Sequence, residues 1–256
     1  MASRPALNLQ RLLFLDTNAM HYARLYLEFA QERGIAPLGD GAAKPDEEIK
    51  RTYTGRTCES YMNGCRLVDY LRSQCLSDAC ARVEYSPVTQ LELVCGLLRG
   101  QAIVNAAQEG IPHRMWSRID EGEILHRLKP STYRDVERRI GAIDDLFVKA
   151  DVTISETRPE SMRDAWLLAR RLLSLVYMDL GDLIVYASAL LAEADEFITY
   201  DAYLKKVANK LQKPDGIDDP VDKECFRGAR NTIVGFMAQR IGIEESQISL
   251  PAAIKV

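Results

Sequence analysis

Residues 12–15, Leu-Leu-Phe-Leu, are apolar without a break and then meet Asp16, Thr17 and Asn18. An apolar run this short predicts a strand buried on both faces, as strands of parallel sheets are. Val83–Tyr85, Val152–Ile154 and Glu196–Thr199 read as strands of the same kind. Helical spacing fills the intervals. Tyr133, Val136, Ile140, Ile143 and Phe147 alternate steps of three and four, which predicts one apolar stripe along a helix. Met162, Trp166, Ala169, Leu173 and Val176 repeat that spacing. Residues 182–194, DLIVYASALLAEA, are apolar on nearly all sides and predict a helix enclosed by the fold. Strands alternating with helices imply an α/β fold, with a mostly parallel sheet covered on both faces.

The remaining stretches read as additions to that plan. Residues 34–58 carry turn formers and mixed charge and read as a long loop, and residues 59–80 and 101–150 as added helices. We therefore expect one domain over residues 1–210, with insertions at about 34–80 and 101–150. Residues 211–256 read as a helical extension on the same domain: a turn-rich QKPDGIDDPVD, a helix near 223–241 and a short apolar end. Residues 172–192 are apolar enough to suggest a membrane span, but Asp179, Gly181 and Asp182 fall at the middle. Charge there is costly in a bilayer, so two separate elements broken at M-D-L-G-D are expected, and no membrane.

Composition narrows the chemistry. A formal net charge of −4 argues against a protein that coats nucleic acid nonspecifically. The cysteines, at 58, 65, 75, 80, 95 and 225, include no C-x-x-C pair, and His21, His113 and His126 are scattered. A zinc site is not expected; reduced, half-buried thiols in a cytoplasmic protein are.

The acidic residues are more informative. In a parallel sheet every strand C-terminus, and every helix N-terminus that follows, faces one edge, where ligands bind. Asp16 ends the first strand, and Glu92 lies in the first turn of the helix after Val83–Tyr85. Asp179 and Asp182 open the enclosed helix, and Asp201 follows the strand that ends on Thr199. Each has an ordinary explanation. Asp16, Asp179 and Asp201 suit helix N-caps, Asn18 could cap the first helix instead, and T-Q-L-E fits a capping box of Thr89 and Glu92. Cap duty, however, predicts no common edge. Clustered carboxylates repel one another unless a cation neutralises them, and Mg²⁺ or Mn²⁺ suits an all-oxygen donor set.

The ordered set RLLFLDTN, SPVTQLELVCGL and DLGDLIVYASALLAEADEFITYD resembles the PIN-domain family of metal-dependent ribonucleases, which includes toxins of bacterial toxin–antitoxin pairs. The resemblance covers residues 8–30, 81–100 and about 150–205, and it implies a Rossmann-like three-layer α/β/α sandwich. It further implies that Asp16, Glu92, Asp182 and Asp201 are catalytic metal ligands and that Asn18 and Thr199 support them; Asp179, three residues before Asp182, is a further candidate metal ligand, and Thr17 a further supporting residue. Single-stranded RNA is the implied substrate, an antitoxin or other protein an implied partner, and a homodimer a known arrangement in the family. The chain departs from a compact PIN toxin in its two insertions.

In such a site the acids hold metal and position water, and phosphate must be gripped elsewhere. Lys205 and Lys206 are the nearest basic residues in sequence, with Lys50, Arg51 and Arg56 a second set beside Tyr53, which could stack on a base. Two other classes compete: a catalytically idle interaction module, and a DNA-directed nuclease or phosphatase using the same edge.

Overall fold

The computed structural model describes residues 11–35, 45–77, 81–112, 114–115, 128–158 and 161–256. His113, His126, Cys80 and parts of both expected insertions lie outside the described residues.

Five parallel strands form one sheet in the order β3-β2-β1-β4-β5. They are β1 (Leu12–Leu15), β2 (Arg82–Tyr85), β3 (Ile154–Glu156), β4 (Glu196–Ile198) and β5 (Ala252–Ile254). The apolar run of β1 is the central strand and is buried along its whole length. Because successive side chains point to opposite faces, it feeds two cores. Leu12 and Phe14 join one cluster; Leu13 and Leu15 join the other.

Helices cover both faces. On the Leu13 side pack α1 (Thr17–Arg33), α2 (Pro45–Thr52), α3 (Gly55–Leu76) and, further along the chain, α6 (Ile143–Lys149). On the Phe14 side pack α7 (Met162–Leu172), α8 (Leu180–Leu191), α9 (Ala202–Gln212) and α10 (Pro220–Ile241). Between β2 and α6 run α4 (Pro87–Gln108) and α5 (Pro130–Gly141), which build a small third core from Leu98, Ala102, Leu128 and Val136. The fold is therefore an α/β three-layer sandwich, and α8 is buried from Leu183 to Leu190, as its all-round apolar pattern predicts. No helix among the described residues is long and apolar enough to cross a membrane.

Several details depart from the sequence reading. Within the stretch read as a long loop, residues 45–52 form α2 and residues 55–58 open α3. Pro45 opens α2, and three acids in its first turn with Lys50 and Arg51 in its last complement the helix dipole. The third strand begins at Ile154, not Val152, because its register is set by pairing Val83 with Ile154. The helical stripe read through residues 133–147 is split at Ala142 into α5 and α6. In α7 the buried face is Ala165, Leu168, Ala169 and Leu172, leaving Trp166 41% and Leu173 49% exposed. Small alanines there let α7 and α8 approach closely, so the bulky residues of the expected stripe turn outward. The segment after residue 210 supplies β5 on the sheet edge as well as α10. Ala-Ala-Ile is weak strand material alone, and only pairing with β4 makes it one.

Candidate acidic site

Strands β1 and β4 are neighbours, yet the chain leaves β1 toward β2 and leaves β4 toward β5, in opposite directions across the sheet. A crevice opens at such a switch point, beyond the strand C-termini. Leu15 of β1 pairs with Ile198 of β4, so Asp16 and Thr199 emerge side by side there, and the Asp16 amide donates to the Ile198 carbonyl at 3.0 Å.

Asp16 is 2% exposed. One of its oxygens caps α1 by accepting the Ala19 amide at 2.6 Å, and the other accepts the Thr199 hydroxyl. Burial pushes its carboxyl up to about 7; the Thr199 and Ala19 hydrogen bonds pull it down, and the charges of Asp182 and Asp201 push it up again. Asn18 is exposed and the capping role belongs to Asp16. Thr199 is wholly buried and uses its hydroxyl twice, since its oxygen also accepts the Asp201 amide at 3.0 Å. Asp201 in turn caps α9, accepting the amides of Tyr203 at 2.7 Å and Leu204 at 2.8 Å.

Asp179 caps α8 by accepting the Gly181 amide at 2.8 Å, which places Asp182 in the first turn. Burial raises Asp182 to about 6, followed by the charges of Asp201, Glu92 and Asp179. The charges of Asp182 and Asp201 thus act on Asp16, and those of Asp201, Glu92 and Asp179 on Asp182, across a single edge. Among the described residues, no lysine or arginine forms an ion pair with any of them.

Glu92 reaches the edge differently from the capping box read in the sequence. Helix α4 starts at Pro87 with Ser86 as its cap, accepting the Val88 amide at 3.2 Å. Glu92 therefore lies in the second turn, and the buried Thr89 hydroxyl has no hydrogen-bond partner. Pro at the first helical position, where no amide is needed, outweighs the weaker Thr signal two residues later. Glu92 instead accepts the Thr17 hydroxyl and comes up to Gly181. A Cβ at 181 would stand 2.6 Å from Glu92 Oε1 and 3.2 Å from Asp179 Oδ1, so glycine leaves the room in which these carboxylates approach α8. In the sequence Gly181 stands out only as a break in an apolar run; a glycine inside the first helical turn, where it lowers helix propensity, is the signal for this further role.

The fit to a metal has two sides. In their present positions no three His, Cys, Asp or Glu side chains among the described residues form a group that holds a metal ion. The donor set nevertheless fits a hard divalent cation chemically, being all carboxylate oxygen, mutually repelling and without an ion-paired lysine or arginine among the described residues. Lys205 and Lys206 stand on α9, beyond Asp201, and border an open groove of about 820 Å³ that Lys210 and Lys213 also line. The second basic set is arranged otherwise: Tyr53 stacks on Tyr61 with ring centroids 4.3 Å apart, so its face is already used. Lys50 and Arg51 are exposed on α2, and Arg56 on α3. Of the cysteines described, Cys65 is buried and Cys95 is exposed rather than half-buried, and all five are free thiols.

Compared with family models, with curated proteins and with solved structures, the chain finds no match in any of the three.

Proposed function

We propose that this protein is a divalent-metal-dependent phosphodiesterase, a nuclease resembling the PIN-domain ribonucleases, with single-stranded RNA as its substrate and Mg²⁺ or Mn²⁺ as its cofactor. One observation carries the reading. Acids from four separate junctions of the chain face one edge at the switch point of a parallel sheet, and burial with the charge of neighbouring acids raises the carboxyls of two of them, Asp16 and Asp182, well above the ordinary carboxylate range. Neighbouring carboxylates whose ionised forms are disfavoured by burial and by one another gain from a hard cation that neutralises them.

In this reading Asp16, Asp182 and Asp201 hold the ion, and Glu92 holds it or orients the attacking water. When bound, the ion supplies a nucleophile at neutral pH and neutralises charge on the phosphoryl oxygens. Thr199 fixes the rotamer of Asp16 and the position of the Asp201 backbone with one hydroxyl, and Thr17 does the same for the Glu92 carboxylate. Lys205 and Lys206 bind substrate phosphate outside the acidic edge.

The test is cleavage of an unstructured RNA oligonucleotide in Mg²⁺ or Mn²⁺. Turnover is expected, with loss in chelator and in Asp16→Asn and Asp182→Asn. A protein that cleaves no nucleic acid with any divalent ion, and gives no heat of metal binding, is not this enzyme. Cleavage of DNA in preference to RNA would keep the chemistry and change the substrate.

A further inference from the structure

Two tyrosines flank the acidic edge with their rings in solvent. Tyr177, in the turn between α7 and α8, is 89% exposed, although its neighbours Val176 and Met178 are buried. Tyr203, in the first turn of α9, is 51% exposed. They are joined: the Tyr203 hydroxyl donates to the Tyr177 backbone carbonyl. That bond ties the junction carrying Asp179 and Asp182 to the junction carrying Asp201. It also gives the polar end of Tyr203 a partner, which limits how far the ring turns. Lys206 lies three residues beyond Tyr203, on the same side of α9, exposed and without an ion-pair partner among the described residues.

We propose that Tyr177 and Tyr203 are substrate-positioning residues, which grip unpaired nucleobases by stacking on the rim of the acidic edge while Lys206 takes an adjoining phosphate. The chemistry is that of single-strand recognition generally, in which aromatic faces stack on bases and nearby cations track the backbone. The carboxylates cannot hold the substrate themselves, since they repel it, so grip has to come from the rim. The Tyr203 ring, tied through its hydroxyl, costs less conformational entropy to place against a base than a free side chain does. Duplex bases are stacked on each other and offer no face to these rings, so the tyrosines also select against paired strands. The proposal rests on the nuclease reading for its role in catalysis, but binding can be measured without turnover.

The experiment is fluorescence anisotropy with a labelled 12-nucleotide oligouridine and a labelled RNA duplex, in Mg²⁺ and on an Asp182→Asn background, followed by oligonucleotide kinetics on the otherwise native chain. Tyr177→Ala is expected to weaken single-strand binding about 5- to 100-fold, the usual cost of losing one base–aromatic stack. Tyr177→Phe should restore it, and duplex binding should change little. In kinetics Tyr177→Ala should raise KM for the oligonucleotide more than it lowers kcat. Tyr203→Phe keeps the ring and loses the tie to Tyr177, so it should give an intermediate loss, whereas Tyr203→Ala should match Tyr177→Ala. Oligouridine binding that is absent in the parent, unchanged in Tyr177→Ala, or weakened equally for duplex and single strand overturns the proposal. If oligouridine binds through the tyrosines and nothing is cleaved, the nuclease reading fails alone; if RNA is cleaved with KM untouched by Tyr177→Ala, the tyrosine proposal fails alone.

Discussion

Thr199, at the end of β4, donates its hydroxyl to Asp16, at the end of β1, although 183 residues separate them in sequence. Both side chains are buried, and the same hydroxyl oxygen accepts the amide of Asp201. A single side chain therefore sets the geometry of two of the acids. Replacing it by valine, which has the same shape, should leave a buried oxygen of Asp16 unpaired and cost about 1–3 kcal/mol in urea unfolding. If Asp16 and Asp201 hold a metal ion, the same change should lower activity or metal affinity about 10- to 100-fold, the usual cost of losing a residue that orients a ligand. Full activity in a destabilised Thr199→Val would mean that its hydroxyl does not position the acids for the reaction.

The two raised carboxyls make stability depend on pH in a definite direction. In the unfolded chain Asp16 and Asp182 lose their protons near 3.8, whereas in the fold they keep them to about 7 and about 6. The native state then binds more protons between those values, so the stability these groups contribute is complete below about pH 4 and is lost as pH rises through 6 and 7. In chelator, the melting temperature of Asp182→Asn should therefore converge on that of the parent near pH 4, exceed it increasingly as pH rises through about 6, and hold that lead up to pH 8. Adding Mn²⁺ at pH 8 should raise the melting temperature of the parent and not that of Asp16→Asn. A parallel pair of pH profiles would show that the carboxyls carry no such strain.

Gly181 offers a separation of site from fold. An added methyl meets the far end of the flexible Glu92 side chain at 2.6 Å, not backbone. Glu92 can swing aside, and alanine is the better helix former, so Gly181→Ala should melt within about 2 °C of the parent or slightly higher, given a helix preference of about 1 kcal/mol. Its turnover should nonetheless fall to the level of Glu92→Gln. Normal turnover in Gly181→Ala would mean that the approach of Glu92 to the start of α8 is not needed for the reaction, and loss in Glu92→Gln alone would then locate its role elsewhere on the edge.

Gly64 is the opposite case. A Cβ there would lie 2.1 Å from the Tyr22 carbonyl oxygen, which is backbone of α1 and cannot move aside. Gly64→Ala should force α3 away from α1 and cost about 3 kcal/mol or more, since overpacking a close helix contact typically costs about 1–3 kcal/mol even where side chains can yield. Urea denaturation reads this directly, and a cost below about 1 kcal/mol would contradict the close approach of the two helices.

Much of the framework is legible in local sequence, because burial on both faces and polarity at strand ends are written into adjacent residues. Leu12–Leu15, the enclosed helix 183–190 and the acids at four junctions need no tertiary information to be found. What local pattern misjudged was decided by neighbours far away in the chain. Trp166 and Leu173 have the spacing of a buried stripe, but the alanines of α7 face the core because α8 packs close against them. Thr89 and Glu92 have the spacing of a capping box, but Pro87 starts the helix earlier and frees Glu92 to meet Thr17 and Gly181.

The sequence by itself determined which residues carry charge to the sheet edge: a strand that must be buried has to end its apolar run where the chain turns, and polar side chains collect there. Only the tertiary structure decided that these ends converge. Placing β4 beside β1, and reversing the direction of travel between them, brings Asp16, Asp182 and Asp201 within reach of one another's charge. It also settles that Thr199 links Asp16 to Asp201 and that Tyr177 is tied to Tyr203. Strand order follows from the packing of two whole cores, a sum over long-range contacts that no single stretch of residues contains.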